Sequence, residues 1–376
     1  MHGQNEALDT KKNALRRFLA RKDIVFSARR YGIDALGAMA LGLFGSLLIG
    51  TIFKAIGLIP ALSFFLTIGT WAQAVAGAAM AVAIAHALGA PPFVLFSAAA
   101  VGYAANAAGG AGGPLAVLLV TIVAVECGKA VSKETKVDIL VTPFVTVFIG
   151  GGLAMLIAPH IGTAVSFVGK FIGWATELQP LLMGLIISVV MGLALTLPIS
   201  SAAICAAIGL SGAAVAGVVP ENATGLALAG GAAVAGCCAQ MVGFAVMSFR
   251  ENRWGGLVSQ GIGTSMIQMP NIVRNPRIWI PPTLASAVTG PLATCVFKLQ
   301  MYDAAINSGM GTCGLLGPIG IMLGWFKGEY PHTVGAMDWV GLVLTCFVLP
   351  AIISWAVCLV LRRIGWIGEN DLLLEK

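Results

Sequence analysis

The stretch that decides the fold is WGGLVSQGIGTSMIQMPN, residues 254–271. Glycines at 255, 256, 261 and 263, with Gln260, Thr264, Ser265, Gln268 and Asn271, are set among leucine, valine, isoleucine and methionine. A membrane-crossing helix needs about 20 predominantly apolar residues, and this stretch is too polar and glycine-rich for that. It is also too apolar for a solvated loop. Non-helical backbone at membrane depth survives only where protein buries it or a watery cavity borders it. The stretch therefore reads as a re-entrant hairpin, the device with which transporters build substrate sites near the bilayer midplane. Residues 303–325, DAAINSGMGTCGLLGPIGIMLGW, share the hybrid character and read as a second hairpin.

The chain around these segments is strongly apolar. Its 376 residues are 58% hydrophobic and 10% charged, with a mean hydropathy of +0.92. Soluble domains carry about 25% charge and about 45–50% apolar residues. The 48 glycines have no three-residue period, which excludes collagen, and the hydrophobicity excludes disorder. The apolar runs are continuous rather than alternating, unlike those of a membrane barrel. The fold class is an all-α polytopic membrane protein with about ten transmembrane helices. Spans are expected at 33–54, 66–88, 92–107, 114–132, 139–159, 180–199, 201–219, 224–248, 278–298 and 338–360. Residues 160–178 are amphipathic and read as an interfacial helix. The expected organisation is a basic segment over 1–30, a membrane domain over 31–361 and a cytoplasmic tail over 362–376.

Charge sets the orientation. Of the net +6, residues 1–30 supply +5, from eight basic side chains against Glu6, Asp9 and Asp23. A cationic cluster before the first span places the N-terminus in the cytoplasm, and ten spans return the C-terminus to the same side. Lys129, Lys133, Lys136, Arg250, Arg253, Arg274, Arg277, Arg362 and Arg363 then all fall on that side. Leu15, Phe18, Leu19, Val25 and Phe26 recur at helical spacing, so the segment reads as a helix on anionic lipid headgroups or as a solvated arm. Such a patch beside a span serves topology rather than nucleic-acid binding, and it lacks the short apolar core of a signal peptide.

No enzyme motif is present: there is no GxSxG, HExxH or P-loop. The four histidines do not cluster, and the eight cysteines lack metal-type spacing, reading as small buried hydrophobes. No catalytic residue, metal or cofactor is expected. Polar groups inside apolar runs carry the functional signal instead. Glu126 either pairs with Lys129 one helical turn on or lines a transport path. Asp138 either stabilises a helix N-terminus or lines that path. His86 reads as a satisfied core or interface histidine or as a substrate contact, while Asn106, Gln73 and Gln240 bond between helices or reach a hydroxylated ligand. Thr264, Ser265, Gln268 and Asn271 lie in the densest polar run, 251–277, where a bending chain offers many donors and acceptors to a sugar. Asn307 opens the corresponding run of the second hairpin.

Four blocks carry a family resemblance: TLPISSAAICAAIGL (196–210), AGCCAQMVGFAVMSFREN (235–252), QGIGTSMIQMPNIVRNPRIWIPPTLASAVTGP (260–291) and NSGMGTCGLLG (307–317). With KVDILVTPFVTVFIGGG (136–152), they resemble the EIIC-like membrane proteins of the phosphotransferase system, in the branch of the perfringolysin regulator proteins. The resemblance runs from about 30 to 361. It implies a homodimer with re-entrant hairpins in a bacterial cytoplasmic membrane. Sugar-specific members move one domain against another and present the sugar to a partner's phosphocysteine. This chain departs from them in its hairpin, where Gly261-Ile262-Gly263-Thr264-Ser265 stands in place of a Gly-Ile-Thr-Glu-like motif, so the glutamate role does not carry over. Some fifteen residues follow 361, so phosphorylation is expected to need separate phosphocarrier proteins. The expected function is a permease for a sugar or similar small polar solute. The alternatives are a transport-inactive membrane sensor with the same fold, and a carrier for a small anion met by Arg274, Arg277 or a broken helix end.

Overall fold

The computed structural model describes residues 16–57, 59–176, 178–212, 223–328, 330 and 333–374. Among these the chain is helical throughout, without strands. Helix α1 spans Arg30–Ile56. Helices α2 (Phe64–Ala74) and α3 (Ala76–Ala87) follow, bent by 48° at Val75. Helix α4 (Pro92–Gly109) begins with proline at its first turn, where the missing N–H costs no helical bond. The run Gly109–Gly113 then turns the chain. Gly110 sits at φ +52°, which glycine adopts without strain, and α5 (Gly113–Val131) packs back along α4.

Helix α6 (Asp138–Ala175) is 38 residues long. It passes through Pro143 and Pro159, so residues 160–175 continue the preceding helix rather than forming a separate interfacial one. A proline removes one helical hydrogen bond and usually marks a boundary. Here nearby side chains meet carbonyls of this turn: the Thr163 hydroxyl donates to Pro159 O at 2.9 Å, and His160 Nδ1 lies 2.8 Å from Leu156 O.

Helix α7 (Pro180–Thr196) ends at an irregular Leu197–Ser200 connection, and α8 (Ser201–Ile208) starts there with the Ser200 hydroxyl as its cap. Helix α9 (Ala223–Met247) is the central post, with 83% of its most apolar 18-residue window buried. Small residues make that possible: a Cβ on Gly236 would lie 1.9 Å from Ser188 O, so α7 and α9 touch backbone to backbone. Helix α10 (Phe249–Val258), α11 (Met269–Arg274), α12 (Ile280–Pro291), α13 (Leu316–Phe326) and α14 (Ala336–Arg363) complete the fold.

By length and apolarity five described helices can cross a membrane, six with the bent α2–α3 pair, where ten were expected. Part of the difference lies in Pro92–Val131, one apolar run that folds back on itself as α4 and α5. The rest lies in α7 (17 residues) and in α12 with the helical turn Leu292–Val296 that continues it, both close to the spans expected at 180–199 and 278–298 but short of that length, and in α8 (8 residues), which ends well before 219. Residues 213–222, across the end of the expected span 201–219, lie outside the described set.

Three apolar clusters form the interior. One joins α1, α3, α4, α5 and α6, a second joins α7, α8 and α9 with Met310 and Cys313, and a third lies between α9, residues 293–302, α13 and α14. The hairpins lie where these clusters meet.

Candidate functional site

The first hairpin descends as α10, continues as a wide turn through Ser259–Gly263, and reverses at Thr264, whose backbone is extended (φ −159°, ψ 147°). A tight turn over Ser265–Gln268 and α11 form its return leg. Glycine is needed at the reversal, since a Cβ on Gly263 would stand 2.4 Å from the Phe44 ring of α1. The second hairpin runs through the short turn Ala305–Ser308, irregular residues 309–312 and Cys313–Leu315 into α13. Gly311, at φ +52°, presses against α9, where a Cβ would lie 2.7 Å from the Cys237 carbonyl carbon. The two tips pack against each other through Ser259–Gly263 and Cys313–Leu315.

A cavity of about 60 Å³ lies between them. Leu43 and Leu47 of α1, Pro114 of α5, Ile199–Ala202 at the break before α8, Thr264 and Met266 of the first hairpin, and Met310 and Cys313 of the second line it. The N-terminal ends of α5 and α8 and of the 265–268 turn border the same space. First-turn N–H groups have no partner inside their helix and carry partial positive charge. No carboxylate or ammonium group lines the cavity. Three hydroxyls stand in this mostly apolar lining, each with a partner in the fold: Ser200 Oγ accepts from Ala203 N at 3.2 Å, Ser201 Oγ donates to Gly309 O at 2.7 Å, and Thr264 Oγ1 accepts from Met266 N at 3.1 Å.

Two polar networks brace the first hairpin. Ser265 Oγ lies 2.8 Å from Thr196 Oγ1, which donates to Gln240 Oε1 at 3.4 Å. Trp279 Nε1 donates to the same oxygen at 3.0 Å, and Gln240 Nε2 donates to Thr283 Oγ1 at 3.3 Å. The tip is thereby tied to α7, α9 and α12. In the second network Gln268 Nε2 donates to Gln260 Oε1 at 2.9 Å, and Asn271 Nδ2 donates to Gln268 Oε1 at 2.8 Å.

The C-terminal tail closes this second network. Leu372 O accepts from Gln268 Nε2 (3.0 Å) and Asn252 Nδ2 (2.7 Å), and Leu373 O accepts from Asn271 Nδ2 (2.9 Å). Asn275 Nδ2 donates to Trp366 O and to Asp371 Oδ2, while Ile367 and Leu372 are buried beneath. Residues 364–374 thus form a strap across the hairpin legs, where the sequence suggested a simple tail.

The sequence-derived candidates divide accordingly. Thr264 lines the cavity, while Ser265 stands just behind it in the Thr196–Gln240 network. Gln268 and Asn271 are buried and bonded to each other and to the strap. Asn307 is bonded to Asp303 at 2.8 Å. Asn106 packs at the α4–α5 turn, its Oδ1 2.5 Å from where a Cβ of Gly113 would stand. Gln73 bridges α2 to Thr51 and Lys54 of α1. Glu126 makes the local pair, 3.2 Å from Lys129, and accepts from Tyr31 at 3.1 Å. Asp138 caps α6, accepting from Lys133 N and Thr142 Oγ1, each at 2.6 Å. His86 is exposed at the end of α3. None of Glu126, Asp138, His86, Asn106, Gln240 and Asn307 lines the cavity between the tips. Ser200 and Ser201 do line it, and sequence reasoning passed them over. The signal was present: Pro198 breaks the chain, and a serine pair then offers a helix cap.

Among the basic residues of the N-terminal segment, Arg21 and Lys22 pair with Glu134, and Arg30 pairs with Asp23. The Arg30 guanidinium hydrogen-bonded to Asp23 holds that carboxyl below its ordinary value. The fully buried Lys129 donates to Asp23 O (2.6 Å) and Leu88 O (2.7 Å), pinning the segment to α3 and α5.

The architecture is that of a multi-pass helical membrane protein in which paired hairpins border a small, mostly apolar cavity carrying three hydroxyls. Residues 33–374 match the family described as phosphotransferase system, EIIC, and the chain belongs to that family. It is thus a membrane permease component of the phosphotransferase system. No curated protein and no solved structure matches the chain.

Proposed function

We propose that the protein binds a sugar or similar small polar solute between the two hairpin tips and carries it across the bacterial cytoplasmic membrane. One observation carries this reading: both tips, the break before α8 and the start of α5 converge on one cavity bearing the hydroxyls of Ser200, Ser201 and Thr264. Thr264, Ser200 and Ser201 contact the solute. Ser265 and Gln240 hold the tip, and Gln268 and Asn271 hold the hairpin legs. A cavity of about 60 Å³ is well below the 300–1,000 Å³ usual for ligand sites, so transport requires the tips to part. Phosphorylation is left to separate cytoplasmic phosphocarrier proteins, and both termini face them. The protein works as a homodimer of the perfringolysin-regulator-like branch, with Arg16 and Arg17 resting on anionic lipid.

The same small volume favours a second reading, a sensor that binds solute without moving it. Proteoliposomes separate the two. Uptake and equilibrium binding would be measured with radiolabelled glucose, N-acetylglucosamine, mannitol and ascorbate. A carrier accumulates at least one probe and loses uptake at least tenfold in Ser201→Ala and Thr264→Val. A sensor binds a probe without accumulating it. Uptake that is unchanged in both variants removes the tip cavity from the path.

A further inference from the structure

A separate pocket of about 320 Å³ lies away from the tip cavity, on the flank of the first hairpin's leg, where α9, α10 and the end of α14 meet. Its walls are apolar, formed by Val246, Leu257, Trp355 and Leu359, and two guanidinium groups, Arg250 and Arg362, stand in it. Arg362 is paired with Glu251, both side chains largely buried. Arg250 is exposed and has no acidic partner among the described residues. Arg253 and Arg363 adjoin the pocket in sequence, beside Glu251.

The pocket opens on an outward apolar flank: Ile352, Trp355 and Val360 of α14 are each more than half exposed. Both apolar spans that build it, Ala223–Met247 and Ala336–Arg363, end here, so the guanidinium groups stand at headgroup level. Trp355 lies seven residues before Arg362, about 10 Å deeper along the helix. An occupant must therefore be anionic at one end and hydrocarbon for about 10 Å below it. A soluble phosphate satisfies only the first condition, and a neutral lipid offers Arg250 no counter-charge.

We propose that this pocket binds one anionic phospholipid, its phosphate between Arg250 and Arg362 and one acyl chain along Leu257, Trp355 and Leu359. Basic pockets between helix ends recognise anionic headgroups in this way. Arg250 sets the charge preference, while the Arg362–Glu251 pair fixes the end of α14 against α10.

The test uses the full chain in nanodiscs of phosphatidylcholine and phosphatidylglycerol at 3:1, followed by native mass spectrometry of the lipid retained after detergent release. The expected result is preferential retention of one phosphatidylglycerol. Arg250→Gln should reduce it about fivefold, Arg250→Lys should restore most of it, and Leu359→Trp should reduce it with the charges intact. Equal retention of both lipids by the native chain would overturn the proposal, as would undiminished retention in Arg250→Gln. Displacement of the phosphatidylglycerol by millimolar inorganic phosphate would also overturn it, by showing an anion site without an acyl chain.

Discussion

Replacing Leu372 by alanine should release the C-terminal strap from the first hairpin. Leu372 is fully buried, and removing most of a buried leucine side chain costs about 2–5 kcal/mol in lost transfer energy and residual cavity. The Leu372 carbonyl survives the substitution, so its bonds to Asn252 and Gln268 can form only while the strap is docked. Terminal segments open locally at far lower cost than the whole protein. A loss of about 3 kcal/mol therefore raises the open fraction about a hundredfold. Once the strap leaves, Gln268 and Asn271 lose acceptor carbonyls, and the hairpin legs must loosen with it. Hydrogen exchange read by mass spectrometry should show faster exchange over 364–374 and also over 259–275, with 223–247 unchanged. The neighbouring Leu373, 43% exposed, provides the control, and Leu373→Ala should shift exchange only a few-fold. Strap exchange unaltered by Leu372→Ala would refute the burial argument. A freed strap over an unchanged hairpin would refute the coupling.

Other outcomes follow from the same geometry. A double-mutant cycle of Thr196→Val and Ser265→Ala, read by thermal unfolding in detergent, should return a coupling of about 1 kcal/mol for their hydroxyl contact; additive effects would break that link. Lys129→Met strips the buried Glu126 of its counter-charge and should cost about 3–5 kcal/mol, with Glu126→Gln added to it recovering part of the loss, as measured by melting temperature. Asp23, held below its ordinary pKa of 3.8 by Arg30, contributes stability that is present above that value and lost as pH falls through its lower folded value. Pepsin cleavage within residues 16–30 should therefore stay slow at pH 4 and accelerate as pH falls further. An onset well above pH 4 would remove Asp23 from the clamp.

The irregular backbone of both stretches was legible in the sequence, because glycine and polar residues interrupt an apolar helix. The turn between α4 and α5 was legible for the same reason, from five small residues flanked by apolar runs. The roles of the polar residues were not. Gln260, Gln268 and Asn271 look like ligand contacts because a hairpin and a sugar require the same donors and acceptors. Only the fold shows that the hairpin's own legs and the strap take them. The strap itself left little trace, since it acts mainly through backbone carbonyls, although Leu372–Leu374 form an apolar patch in a polar tail. Glu126 and Asp138 each met partners within five residues, Lys129 for the first and the Thr142 hydroxyl with the Lys133 N–H for the second. The early end of α8 at Ile208 escaped because hydropathy measures apolar length and cannot see where a helix stops inside it.

Solute binding between the hairpin tips is tested most directly by cryo-electron microscopy of the chain in nanodiscs with the transported probe. Non-protein density in contact with Ser200, Ser201, Thr264 and Cys313, with the tips drawn apart, is the result expected. Hairpins that thread the bilayer as plain helices, or density elsewhere over a closed tip cavity, would contradict it.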